Sequence, residues 1–249
     1  MELGSVPAVT IQKMSLRPLL VSGAATITVL AGMTGPAQAA ENYGQYSQFA
    51  KRSAGQHWAD GQAAGQWTWK PLSSTTSEIS WGDPKTWPPS YAEKFVHDGA
   101  WLTLDGWRDN GTYYTVRVTK EQIGDAKCEG LRTFATSGRQ HYVKWDIPAQ
   151  GYCLKAWGTI TEESSGKVVD FGHTQIWSPP APCSNQYLGA QTCIKQWESW
   201  WDNNGSPGKP IARKLERDQY IARGRGMAFK IHQYFPKSWQ SEARSYWNW

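Results

Sequence analysis

The chain predicts a mainly β protein: an antiparallel β-sandwich or jelly-roll-like domain carrying a C-terminal helical extension. Three observations lead there. Runs of period-two hydrophobicity separated by turn residues extend from Gly99 to Trp177, the spacing turns helical beyond residue 183, and four cysteines stand in positions to brace the whole.

The β region begins with a hairpin. Trp101-Leu-Thr-Leu-Asp-Gly-Trp107 and Tyr113-Tyr-Thr-Val-Arg-Val118 flank Asp109-Asn110-Gly111, and Asn-Gly supplies the positive φ angles of a tight turn. A second hairpin is expected from Leu131 to Ala135, across Ser137-Gly138-Arg139 and back through His141 to Ile147. A third runs from Tyr152 to Glu162, across Ser164-Ser165-Gly166-Lys167 and out through Val168 to Trp177. The last of these strands alternates poorly, so a bulge near Gly172 is expected. The stretch from Asn42 to Lys70 has weak periodicity and predicts no strand.

Pro179-Pro180-Ala181-Pro182 closes the β domain, assigned to residues 40–182. In the extension, 183–249, Ile194, Trp197 and Trp201 fall at helical spacing, with Asn203-Asn204-Gly205 as a stop and Ser206 to Pro210 as a linker. Ile211 and Leu215 predict a second helix. Residues 1–39 read as a signal peptide ending in Ala37-Gln38-Ala39, with Met14 as an alternative start. Export makes two disulfides the natural state of Cys128, Cys153, Cys183 and Cys193. Local loop closure favours Cys128–Cys153 and Cys183–Cys193. No transmembrane segment, cofactor motif or metal-ligand spacing is present in the sequence.

Sixteen tryptophans among 249 residues exceed what a core of this size needs. Period-two reading puts Tyr114, Val116, Val118, Val143, Trp145 and Ile147 in the core. It leaves Trp101, Tyr113, Arg117, Tyr142 and Lys144 on the opposite face as a candidate platform, because aromatic rings interleaved with polar groups suit the apolar face and hydroxyl rim of a sugar. The formal charge is +5, and seven basic residues between Lys209 and Lys230 meet only Glu216 and Asp218. Arg213, Lys214, Arg217, Arg223 and Arg225 are therefore the candidate contacts for an anionic surface.

For catalysis the candidates are Asp105, Asp146 and His173. Leu102-Thr-Leu-Asp-Gly-Trp107 followed by Tyr113-Tyr-Thr-Val116 resembles a hairpin of the family 11 xylanases, jelly rolls that cleave xylan with retention. That family places its nucleophilic glutamate directly before the Tyr-Tyr pair, where this chain has Thr112, and no downstream glutamate matches the acid/base. The expected function is that of a secreted, extracellular protein recognising a polymer, a glycan first, through exposed aromatics. The alternative is a glycan-degrading enzyme using strand-borne carboxylates. The third is a protein acting on a membrane or an anionic wall polymer through its basic, Trp-rich C-terminal segment. Extracellular polysaccharide or anionic wall polymer is the expected partner, with peripheral membrane contact next; the sequence argues against nucleic acid.

Overall fold

The computed structural model describes residues 41–47, 51–82, 90–202, 212–225, 228–235 and 238–248. The signal-peptide segment, the helix stop and the linker fall outside them. In chain order the elements are β1 (Glu41–Asn42), the four-residue helical turn α1 (Gly44–Ser47), β2 (Ser53–Ala59), β3 (Gln62–Pro71), β4 (Thr76–Gly82), β5 (Tyr91–Asp98), β6 (Trp101–Asp109) and β7 (Thr112–Gly124). There follow β8 (Arg132–Phe134), β9 (Gln140–Lys144), β10 (Asp146–Ile147), β11 (Tyr152–Glu162), β12 (Val168–Trp177), β13 (Ala181–Asn185), β14 (Gly189–Asp202), β15 (Ala212–Ala222), β16 (Ala228–Phe235) and β17 (Trp239–Asn248).

These strands form a closed antiparallel barrel of 12, in the order β7-β11-β12-β14-β15-β16-β17-β2-β3-β4-β5-β6, with β6 returning to β7. The predicted sandwich is therefore corrected to a barrel, and the predicted helical extension to four wall strands, β14 to β17, with β13 paired on β14. Strands β14 to β17 do not pack on a β domain; they complete it. Closure removes every edge along the wall.

The β6–β7 hairpin forms as expected, with Asn110 at φ 47° and Gly111 at φ 84°, and β11 pairs with β12 from Tyr152↔Trp177 to Thr161↔Val168 without interruption. No bulge interrupts β12 in that pairing; the register shift on β11 lies between Trp157 and Gly158, where it meets β7. The middle hairpin does not form. β8 pairs with β7, whereas β9 pairs with β6. The reason is a fork in the wall: β6 bonds to β7 from Gly106 to Asp109 and to β9 from Trp101 to Leu104. Gly106 permits the fork, since a Cβ there would lie 2.2 Å from the Tyr114 carbonyl oxygen.

The 60–61, 110–111 and 163–167 turns share one end of the barrel. The 72–75 turn and the long excursion from β7 to β11 lie at the other, which is plugged. There β9 is buried along nearly its whole length, β1 pairs with β10, and Tyr43 and Tyr46 are enclosed. Glu121 fastens the plug: its carboxylate accepts from the His141 backbone N–H at 2.8 Å and faces His141 Nδ1 at 2.5 Å. Cys128–Cys153 and Cys183–Cys193 pair as expected, the first joining the plug excursion to the start of β11.

Candidate functional site in the barrel lumen

Alternation along the wall sends polar residues inward. On β12 the inward set is Phe171, His173, Gln175 and Trp177; on β14, Ile194, Gln196, Glu198 and Trp200; on β15, Arg217, Gln219 and Ile221. Opposite stand Tyr91, Glu93 and Phe95 of β5 and Trp107 of β6. Glu198 and Arg217 are direct cross-strand partners, as are Glu93 and Trp107.

Glu198 is the hub and is fully enclosed. One carboxylate oxygen accepts from Arg217 Nε. The other lies within reach of His173 Nε2 at 3.2 Å and, at 3.4 Å each, Tyr142 Oη, Gln196 Nε2 and Trp200 Nε1. With its carbonyl turned toward the guanidinium, Gln219 accepts from Arg217 Nη2 at 3.1 Å and Nε at 3.0 Å. Gln140, which comes from the plug, and Gln175, at 3.3 Å, present amide nitrogens to His173 Nδ1, a pattern satisfied by the neutral Nε2–H tautomer. Gln175 in turn accepts from Trp177 and Gln196, each at 3.1 Å.

Arg217 then crosses the lumen to Glu93, with Nη2 3.7 Å from Oε1. Tyr91 donates to that same oxygen at 2.6 Å. Burial opposes the charge on Glu198, but Arg217 and His173 outweigh it and draw the pKa down to about 2. Glu93 goes the other way: burial raises its pKa despite the partial offset from Arg217 and Tyr91. Burial also lowers His173, against the pull of Glu198. The site thus holds one committed ion pair, a neutral imidazole and a carboxyl biased toward its protonated form.

Above this floor, toward the end with the 110–111 turn, the side chains are only half-buried. Trp107 stacks on Tyr114 with ring centroids 5.4 Å apart and meets Trp200 edge-on at 6.1 Å. Trp200 lies flat on His173 at 3.7 Å. An aromatic wall therefore runs from the mouth down to the Glu198 hub.

The candidates read from sequence are dispersed. Asp105 is paired with Lys94 at 3.1 Å on the outer face, and Asp146 accepts from Asn42 at 3.1 Å near the plug. Of the catalytic candidates, His173 alone lies in the lumen. Tyr113 is 55 % exposed beside Arg108, and Arg117 is exposed on the same strand, bonded to the Val116 carbonyl at 2.7 Å. Trp101 is half-buried at the plugged end between Phe134 and His141, with Lys144 Nζ 5.5 Å over its ring. Tyr142 is buried, since β9 has no open face. Among the described basic residues, Arg217, Arg223 and Arg225 do not form one patch either. Arg217 is in the lumen, Arg223 lies over Tyr46 at 5.6 Å and Arg225 over Tyr246 at 3.8 Å; the side chains of Arg213 and Lys214 fall outside the described set.

Sequence reading missed Glu93, Trp107 and Glu198 as a group. The available signal was Gln196-Trp-Glu198-Ser-Trp200 with Arg217-Asp-Gln219: polar residues two apart, the pattern of a strand facing a polar lumen.

Fold and site together define a closed antiparallel barrel, plugged at one end, with a charged floor and an aromatic mouth. No family model matches the chain, and no curated protein matches it in sequence. Among solved structures it is similar to a provisionally assigned lipoprotein from Parabacteroides distasonis, 9% identical over 79% of this chain and 95% of that one, with a TM-score of 0.35. It is also similar to a provisionally assigned exported protein of YmcC-like fold from Bacteroides fragilis, 10% identical over 79% and 94%, with a TM-score of 0.29. At that distance neither brings a ligand or an activity with it.

Proposed function

We propose that this is an exported binding protein that holds a glycan at the aromatic end of its barrel, opposite the plug. The observation that carries the reading is the contiguous, half-exposed wall of Trp107, Tyr114 and Trp200 standing over a fixed guanidinium and a carboxyl group. Sugar rings stack on such faces, and polar groups beneath them fix orientation. Two disulfides support an oxidising destination.

The other two readings have less support. Divergent ionisation of Glu93 and Glu198 has the form of an acid and nucleophile pair, but Glu198 is sealed and both its oxygens are engaged, so it is not presented to a sugar carbon. The membrane or wall-polymer reading needs the basic C-terminal residues on one surface, whereas Arg217 is committed to Glu198 in the lumen and Arg223 and Arg225 lie over Tyr46 and Tyr246.

Retention on a panel of insoluble polysaccharides tests the proposal, with anionic liposomes in parallel. Trp107→Ala and Tyr114→Ala should each lose retention by roughly 1–2 kcal/mol, and Tyr113→Ala on the outer wall should not. Loss with Tyr113→Ala alone would move the site outside, and retention by liposomes alone would replace the glycan reading with the membrane one.

A further inference from the structure

We propose that the residue held in the mouth is an acidic sugar at a glycan chain end, its carboxylate on Arg217 and its ring against Trp107; this rests on the glycan reading above. Arg217 is pinned from one side by Glu198 and Gln219, which engage Nε and Nη2. Among the described residues no hydrogen bond reaches Nη1, the contact to Glu93 at 3.7 Å is longer than a hydrogen bond, and 14% of the side chain reaches solvent. A guanidinium held this way presents its remaining edge in fixed geometry, and a planar carboxylate is the group that matches it.

Charge accounting selects the ligand further. Glu198 already neutralises Arg217, so an anion entering the floor must be met by a group that can give it a proton or a hydrogen bond. Glu93 is that group. It is the cross-strand neighbour of Trp107, and in its protonated form it donates where an ionised carboxyl would repel. The groups around Glu93 are Arg217 from β15, Glu198 from β14, Tyr142 from β9, Tyr43 from the N-terminal segment and Tyr91 on its own strand. Only Arg217 among them is a cation. A phosphate or sulfate brings its charge without the proton-sharing geometry of two carboxyl groups, whereas a uronic acid has a carboxylate beside a stackable ring face.

Calorimetric titration of the exported chain with galacturonate and glucuronate trisaccharides, against neutral trisaccharides of equal length, tests this at pH 5 and pH 8. A sugar carboxylate is ionised at both, since such groups titrate below about pH 4. The acidic sugars should bind about tenfold tighter than the neutral ones or better, and that margin should narrow as rising pH ionises Glu93, whose pKa burial raises. Glu93→Gln should remove that pH dependence, and Trp107→Ala should lower uronate affinity by about tenfold. Equal affinity for neutral trisaccharides overturns the acidic-sugar assignment and leaves the glycan reading standing. Tighter binding of sulfated or phosphorylated sugars overturns the carboxylate assignment. Absence of binding to every sugar overturns both.

Discussion

Arg217 on β15 and Glu93 on β5 stand six strands apart in a ring of 12, yet their side chains come within 3.7 Å. Twelve strands about 4.8 Å apart and tilted as barrels require would enclose a circle roughly 24 Å across. An arginine and a glutamate reaching inward from opposite points do not span that circle. The barrel is therefore flattened at this level, bringing the β14–β15 wall onto the β5–β6 wall. That pinch puts the ion pair directly beneath the aromatic mouth.

The pair should behave as a buried charge couple rather than as two independent contacts. Arg217→Met leaves the enclosed Glu198 carboxylate uncompensated, and chemical denaturation should show a loss of about 3–5 kcal/mol. Adding Glu198→Leu to Arg217→Met should restore much of that loss, because the two side chains share one network. Equal and additive losses would show that the two are not coupled.

Stability should depend on pH in opposite senses through different groups. His173 has its pKa lowered from 6.5, so the unfolded chain takes the proton first and stability declines as pH falls below about 6.5. Glu198, lowered from 4.5 to about 2, contributes stability above 4.5 that is lost as pH falls through that interval. Glu93 is raised from 4.5, so its contribution is present below 4.5 and lost as pH rises through its folded value. A series of melting temperatures should show Glu93→Gln removing the decline with rising pH that Glu93 causes while leaving the acid limb in place. Loss of the acid limb in that variant would contradict the assignment.

Cys128 and Cys153 close a loop of 25 residues in sequence separation, and that loop carries the plug strands β8, β9 and β10. Replacing both with serine should cost about 3 kcal/mol by loop-closure entropy and speed hydrogen exchange in β9 before it does so in β3 or β4. Peptide mapping without reduction should recover Cys128 with Cys153 and Cys183 with Cys193.

Gly106→Ala should be among the most damaging small substitutions in the wall. The added methyl would meet the Tyr114 carbonyl oxygen at 2.2 Å, backbone against backbone, where the two strands fork. A loss of about 3 kcal/mol or more is expected. Gly61→Ala, in a turn where a Cβ meets nothing within 4 Å, should cost only the strain of its positive φ.

The sequence by itself determined the β6–β7 and β11–β12 hairpins, because Asn110-Gly111 and the Ser164–Lys167 turn are local signals and their strands bury apolar sets with period two. It also determined the cysteine pairing, since short loops close most readily. The barrel was a tertiary decision. Strands β14 and β15 face inward with Gln196, Glu198, Arg217 and Gln219, so the period-two hydrophobic signal is absent there, and Ile194, Trp197 and Trp201 read as a helix. Likewise Tyr142 looked like the outer face of a strand and is buried because β9 enters the fork between β6 and β7. Only closure of the ring, with the plug inserted and the wall pinched, brings Glu93 to the adjacent Glu198 and Arg217, which lie more than a hundred residues further along the chain. Glu198 and Arg217 tolerate that interior because each is paired, and pairing across a lumen is a property of the folded chain, not of any segment.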